Sequence, residues 1–242
     1  LKGTEFVRPV LAPSPTIGHT LSMPAPTDPL QQRLNATLPT ARIEIVNLPG
    51  LMNLRLGLIN ADFSTAPLAQ DIMRKVIAKP AYWAFCWGSG LASAIHIQAN
   101  AHKIAGKVIA DVGCGSGVVA IAAALAGAKI VYACDIDDDA LMATETNARL
   151  NNTHIELCSH IDELPDHLDQ IWMADVLYDR ANLPLIEYVK TKAASIMISD
   201  SRVRDLEDPD FDVVGHAEAL TFPNLGEFDE FRMVNFFEYR RS

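Results

Sequence analysis

Apolar and polar positions along the chain follow two alternating periods, and the switches between them outline the elements. Residues 41–46 and 54–59 alternate in the manner of strands. The turn-forming pair Pro49-Gly50 lies between them, which predicts an N-terminal β-hairpin. Residues 66–78 carry a helical pattern that Pro80 breaks. An aromatic loop with a flexible end follows, Tyr82-Trp83-Ala84-Phe85-Cys86-Trp87-Gly88-Ser89-Gly90, and residues 91–100 make a further helix. From residue 108 the pattern becomes regular. Short apolar runs at 108–112, 129–134, 154–158, 170–175 and 195–199 read as strands, and helical stretches at 118–126, 137–151 and 183–192 separate most of them. Two late strand candidates lie near 217–222 and 231–239. Strands alternating with helices, then a late pair of strands, predict an α/β domain with a doubly wound sheet and an antiparallel end.

Residues 1–40 break this picture. They are rich in Pro, Ser and Thr with little periodicity and read as a poorly ordered leader, and Gly3-Thr4-Glu5-Phe6 has the look of translated cloning sites. The expected organisation is this leader followed by a single domain over 41–242, divided into an N-terminal extension (41–106) and a Rossmann-like core (107–242).

Composition narrows the class. Of 242 residues, 49% are hydrophobic, enough for one sizeable core. The net charge of -10 argues against a nucleic-acid footprint, which needs clustered Lys and Arg. The four cysteines show no metal-ligand spacing and read as reduced, small hydrophobes, and the seven histidines form no paired motif, so no metal is expected. No apolar run reaches membrane-spanning length and no secretory signal is evident, which predicts a cytoplasmic protein with no membrane partner. The sequons at Asn35 and Asn151 are then chance matches.

The chemistry concentrates in Asp111-Val112-Gly113-Cys114-Gly115-Ser116-Gly117, a strand end and glycine loop leading into a helix. Alternate glycines let the backbone approach a ligand closely. Asp135, one β-α unit later, is placed to hold ribose hydroxyls. The unit proposes a nucleoside-containing cofactor bound by Asp111, Gly113, Cys114, Gly115, Ser116, Gly117, Asp135 and the adjoining Ile136. A dinucleotide loop would carry its third glycine one position later, where this chain has Val118, which disfavours NAD. Ser159 and His160, after the third core strand, are expected to give backbone contacts to a base, with Asp162 nearby. Asp137, Asp138 and Asp139 open a helix, where their charge suits the dipole.

The D-x-G-x-G-x-G pattern resembles the first motif of the class I (seven-β-strand) S-adenosylmethionine-dependent methyltransferases. From about Leu48 onward the chain resembles bacterial relatives of the electron transfer flavoprotein β-subunit lysine methyltransferase. Three stretches carry this in order: the aromatic run from Pro80 to Gly90, the glycine motif with Asp135, and Asp175-Val176-Leu177-Tyr178-Asp179, which fits a D-x-x-Y motif. The resemblance implies a Rossmann-like seven-stranded methyltransferase sheet with an antiparallel last strand, S-adenosyl-L-methionine as cofactor, and transfer to a protein lysine, with the flavoprotein β-subunit as one candidate acceptor. It gives Asp175 and Tyr178 catalytic roles and sets Trp87 against the cofactor; Tyr82 and Trp83 are expected to line the substrate channel. Asp200-Ser201-Arg202-Val203-Arg204-Asp205 stands where the family carries a D-P-G-R-like stretch, so the chain departs from the pattern beside the substrate. Two other readings stay open: an N-methyltransferase of a small-molecule amine or heterocycle, and a catalytically inactive cofactor-binding protein.

Overall fold

The structure is a computed structural model that describes residues 27–226 and 231–241. The core is a seven-stranded sheet of β3 (Val108–Val112), β4 (Ile130–Cys134), β5 (Glu156–Cys158), β6 (Gln170–Ala174), β7 (Ser195–Asp200), β8 (Phe211–Glu218) and β9 (Met233–Arg240). Their spatial order is β5-β4-β3-β6-β7-β9-β8. Strands β3 to β7 run parallel, and β9 lies antiparallel between β7 and β8. The seven-stranded sheet with its antiparallel last strand is thus present. The order reverses between β3 and β6, which opens a crevice beyond their carboxyl ends.

Local sequence explains the pieces that shape this crevice. Ile109, Ala110, Asp111 and Val112 of β3 are all buried, as a central parallel strand requires. Helix α5 (Val118–Leu125) is buried from Val118 through Ala123 and packs under the sheet beside α3 (Gly88–Ala99), which the short α4 (Ala101–Ile104) follows. Helix α6 (Asp138–Leu150) starts on Asp137, whose Oδ1 accepts the Asp139 N–H at 3.0 Å. Helix α7 (Pro184–Lys192) covers the other face, over Ile186 and Val189.

The N-terminal hairpin is β1 (Ile43–Asn47) paired antiparallel with β2 (Arg55–Ile59). Two side-chain amides, Asn147 in α6 and Asn151 just past its end, hold it. Asn151 exchanges hydrogen bonds with both backbone groups of Arg55, at 2.9 and 2.6 Å. Asn147 accepts the Gly57 N–H at 2.7 Å and donates to the Ser116 carbonyl at 2.9 Å, so one buried amide joins the hairpin to the glycine loop.

Three expectations change. Residues 1–26 of the proposed leader lie outside the described residues, but Asp28–Thr37 is helix α1, with Leu30 and Leu34 fully buried beside α6. Its Arg33 and the Lys79 that follows α2 (Gln70–Ala78) both pair with Asp139, at 3.3 and 2.6 Å. Gly88, Ser89 and Gly90 form the first turn of α3 and are no flexible loop. A Cβ on Gly88 would sit 2.9 Å from the Ala219 carbonyl, and one on Gly90 would sit 3.0 Å from Val118, so close packing selects glycine there. Strand β8 lies six residues before its expected start, because the edge strand exposes Val213 and Val214 and bulges before Gly215. Among the described residues no helix is long and apolar enough to cross a membrane.

Candidate active site

The loop between β3 and α5 turns on three glycines with positive φ, +77° at Gly113, +52° at Gly115 and +82° at Gly117. Their surroundings differ. A Cβ at Gly113 would meet Val176 Cγ2 at 2.6 Å, and one at Gly117 would meet Thr144 at 2.8 Å, so both face protein. A Cβ at Gly115 would meet nothing within 4 Å, so this glycine faces the crevice. Asp135, beyond β4, accepts the Gly115 N–H through Oδ2 and the Asp137 N–H through Oδ1, each at 3.0 Å. A carboxylate offers about four acceptor positions, so capacity remains for a ligand hydroxyl. Burial pushes its pKa up, and the backbone amides of Asp137, Gly115 and Ile136 oppose that. The adjoining Ile136 is 87% exposed, an apolar shelf beside a polar clamp. The bare glycine, the clamp and the shelf together fit a nucleoside.

Several other residues expected on the cofactor also make contacts within the protein. Asp111 is buried and its Oδ2 accepts the Ala120 N–H at 3.0 Å, which ties β3 to the first turns of α5. Burial pushes its pKa up to about 7, against that hydrogen bond. Cys114 is buried and its Sγ accepts the Thr144 hydroxyl at 3.2 Å, and burial holds its thiol well above the ordinary range. Ser116 is buried and uses its carbonyl on Asn147. Ser159 and His160 lie exposed beyond β5, but the Ser159 N–H is taken by Glu163 Oε2 at 2.9 Å, and the His160 ring faces Asp162 at 3.0 Å. The Ser159 amide is therefore satisfied within the protein.

Across the crevice, Asp175 follows β6 in the left-handed region, at φ +52°, with its N–H donating to the Ser199 carbonyl at 3.0 Å. This conformation is uncommon outside glycine, though Asp tolerates it better than most residues. It aims the carboxylate at the start of α3. Oδ1 accepts the Ser89 hydroxyl at 2.7 Å and Oδ2 the Ser89 N–H at 3.1 Å. Ser199, linked to Ser93 at 2.7 Å, completes a buried hydroxyl network beneath it. Burial pushes the Asp175 pKa up to about 6; Ser89 opposes the rise and Asp200 adds to it.

Arg202 Nη1 stands 3.8 Å from Asp175 Oδ1, with its guanidinium 5.9 Å from the Tyr178 ring and 4.7 Å from the Phe231 ring. Asp200 holds this turn by accepting the Arg202 and Val203 N–H groups at 2.8 and 3.1 Å. Tyr178 is half exposed, and burial of the rest raises its pKa. Trp87 precedes α3, donates its indole N–H to the Tyr82 carbonyl at 2.9 Å, and packs against Tyr82 and Phe85 at 5.8 and 5.6 Å. Phe85, Trp87, Arg202, Thr221 and Phe231 wall a hollow of about 320 Å³. Tyr82 is exposed beside it, whereas Trp83 is 2% exposed in the core with Leu30, Leu34, Ala140 and Ala143. The channel role expected of Trp83 is corrected: its ring anchors the N-terminal extension to α6.

Ser89 lies in the aromatic run that carries the resemblance, but sequence reasoning missed its role because its partner Asp175 lies 86 residues away. Asp200 and Arg202 were visible only as remnants of a family stretch.

Residues 91–194 match the family model described as ribosomal protein L11 methyltransferase (PrmA). The electron transfer flavoprotein beta subunit lysine methyltransferase of Danio rerio is 42% identical over 103 residues, covering 41% of this chain and 40% of its own length. The ribosomal protein L11 methyltransferase of Acinetobacter baumannii (strain SDF) is 34% identical over 125 residues, covering 52% and 39%. The matched stretch thus spans about two fifths of each of these relatives. Among solved structures, the ribosomal protein L11 methylase of Lactobacillus delbrueckii subsp. bulgaricus aligns with TM-score 0.50 at 24% identity, over 64% of this chain and 79% of that one. Magnesium protoporphyrin IX methyltransferase from Synechocystis PCC 6803 aligns with TM-score 0.52 at 17% identity, over 74% and 100%. The resemblance to the class I S-adenosylmethionine-dependent methyltransferases, and among them to the flavoprotein lysine methyltransferase, is borne out, and the chain carries their fold.

Proposed function

We propose that this protein is an S-adenosylmethionine-dependent methyltransferase whose acceptor is a lysine side-chain amine of another protein. The observation that carries the reading is Asp175, a carboxylate locked by Ser89 beside an aromatic hollow, whose chain neighbour Val176 packs against Gly113 of the glycine loop. Asp135 and Ile136 suit the ribose and base of the cofactor, and Gly115 leaves room for its approach. When bound, the cofactor supplies the electrophilic methyl group and its own leaving group, so the protein has to position, desolvate and deprotonate.

Deprotonation is the harder task. A lysine amine has a pKa near 10.4 and is almost wholly protonated at neutral pH. Phe85, Trp87 and Phe231 form a wall that disfavours the ammonium ion by excluding water. Burial raises Asp175 to about 6. Both shifts narrow the gap between donor and acceptor, so Asp175 can orient the amine and take its proton. Above pH 6 the carboxylate is ionised and ready to accept.

The relatives carry two acceptors in their names, the flavoprotein β-subunit and ribosomal protein L11, and both are to be tried. The test has two stages. Calorimetry compares S-adenosylmethionine, its demethylated product and NAD; binding of the first two alone is expected. Labelled methyl donor is then given to the protein with each purified acceptor and with lysate from a strain lacking it. Label recovered as methyl-lysine supports the proposal. Label confined to small molecules favours a small-amine acceptor, and binding without transfer favours an inactive cofactor binder.

A further inference from the structure

Arg202 is the cation that pairs with Asp175 among the described residues, and its setting is the one a lysine amine would need. Nη1 lies 3.8 Å from Asp175 Oδ1, and the guanidinium sits 4.7 Å from the Phe231 ring and 5.9 Å from the Tyr178 ring. A carboxylate and two aromatic faces are also what an ammonium group seeks. The Asp175 side chain is 9% exposed, and Ser89 engages both of its oxygens. Among the described residues Asp175 does not itself wall the aromatic hollow, whereas Arg202 does. The guanidinium therefore stands between the hollow and the carboxylate.

We infer that Arg202 holds the place of the acceptor's charged amine: its guanidinium occupies the position the lysine ammonium takes, and the acceptor gains Asp175 by displacing it. This rests on the lysine-transfer reading above and makes the acceptor a cationic alkyl amine. The contact is loose enough to exchange. At 3.8 Å it is longer than a hydrogen bond, whereas a compact ammonium on a flexible stem can close to hydrogen-bond distance. Only the side chain has to move, because Asp200 Oδ1 fixes the backbone by accepting the Arg202 and Val203 N–H groups at 2.8 and 3.1 Å. Space for it is adjacent. A second hollow of about 310 Å³ opens between the turns after β6 and β7, and Arg202 and Tyr178 wall it together with Leu177, Asp205 and Glu207. The exchange also prepares the base. Arg202 is one of the groups that hold the Asp175 pKa down, so its withdrawal leaves the carboxylate a stronger acceptor for the ammonium's proton. Water exclusion by Phe85, Trp87 and Phe231 then acts on an ammonium already seated beside that acceptor.

The test reads the binding of a bare alkyl cation to the full chain without cofactor, so no methyl transfer is involved. Trp83 and Trp172 are buried in the core and Trp87 walls the hollow, so a change in tryptophan fluorescence reports on the hollow. Butylammonium chloride and butanol are titrated at about pH 8, where the alkyl amine is charged and Asp175 is ionised. Arg202→Gln keeps a planar group over Phe231 without the charge. It is expected to bind butylammonium about ten-fold tighter than the native protein does, with butanol unchanged. Arg202→Lys restores a resident cation and should return to native affinity. Adding Asp175→Asn to Arg202→Gln should remove the gain. Melting temperatures report folding, and Arg202→Ala carries the same expectation should the glutamine variant unfold. Equal affinity with and without Arg202, weaker binding without it, a gain shared by butanol, or a gain that survives Asp175→Asn overturns the proposal. The expected gain, without transfer of labelled methyl to a lysine peptide, upholds the place-holding role and counts against the transfer reading alone.

Discussion

The hydroxyl and the backbone N–H of Ser89 both donate to Asp175, at 2.7 and 3.1 Å, so a carboxylate from the end of β6 caps a helix 86 positions earlier. Two unconnected segments, the aromatic run before α3 and the D-x-x-Y turn, are thereby locked into one site. The lock also tunes the acid. The serine hydrogen bonds stabilise the ionised form against burial and against the nearby Asp200.

Ser89→Ala should therefore shift a pH profile more than it lowers the maximal rate. Losing the hydroxyl removes one contact that holds the Asp175 pKa down, so that pKa rises above about 6. Fewer molecules then carry the carboxylate at neutral pH. The acid limb of single-turnover methyl transfer should move upward in pH, while the plateau at high pH is largely kept. The loss of one charge-assisted hydrogen bond corresponds to about 1.5–3 kcal/mol, or roughly one to two pH units. An unmoved acid limb would detach Ser89 from the chemistry.

The glycine loop gives a graded prediction. Gly113→Ala and Gly117→Ala place a methyl group against Val176 and Thr144, at 2.6 and 2.8 Å, on backbone with positive φ. Both should lower the melting temperature substantially. Gly115→Ala meets only open space, so its cost is the left-handed backbone, about 1–2 kcal/mol. Its main effect should be on the ligand, because the methyl group projects into the crevice. Calorimetry of a folded Gly115→Ala should show S-adenosylmethionine affinity reduced at least about ten-fold. Native affinity would place the cofactor elsewhere.

These contrasts show which parts of the site a linear reading can reach. The strand, glycine loop and helix from Val108 to Leu125 were legible because the hydrophobic period changes at the glycines themselves. Asp135 was legible because a strand end one unit later is a topological position. Helix α1 was not, because its buried Leu30 and Leu34 sit among polar residues in a Pro-rich stretch, and only their spacing of four marks a face. Trp83 was misassigned because an aromatic run shows no direction: a tight turn at Tyr82–Ala84 sends Trp83 inward and leaves Tyr82 outside. Ser89 and Asn147 depend on contacts 86 and 90 residues apart, which composition and period do not record.

Asp111 offers a test of stability. Its carboxyl is buried, so ionisation costs more in the folded chain than in the unfolded one, and its pKa rises from 3.8 to about 7. As pH rises from about 4, the unfolded chain releases this proton first. The contribution of Asp111 to stability is full below that point, is lost as pH climbs through about 7, and stays lost above it. Asp111→Asn keeps an acceptor for the Ala120 N–H and cannot ionise. Chemical denaturation across this window should show the variant gaining on the native protein with rising pH, by up to about 4 kcal/mol. A constant difference between the two would mean that Asp111 titrates normally.

Asp175→Asn separates positioning from charge at the reacting centre. The amide keeps the size of the carboxylate and can still accept from Ser89, so α3 and the aromatic hollow should stay in place. Cofactor affinity should be close to native, because Asp135 and Gly115 lie on the other side of the crevice opening. Transfer should fall by about 10²–10⁴-fold, the range for a lost general base. The pH response then distinguishes the cause. In the native protein the rate rises as Asp175 ionises near pH 6. In the variant that limb should vanish, leaving a rate that climbs steadily toward the lysine pKa near 10.4 as solvent deprotonates the amine. Single-turnover rates measured from acid to alkaline pH, with cofactor affinity determined in parallel, decide the matter. Native rates across that range would remove Asp175 from the reaction and leave it as the cap of α3, whereas a fall that persists at high pH would point to lost orientation of the amine rather than lost proton transfer.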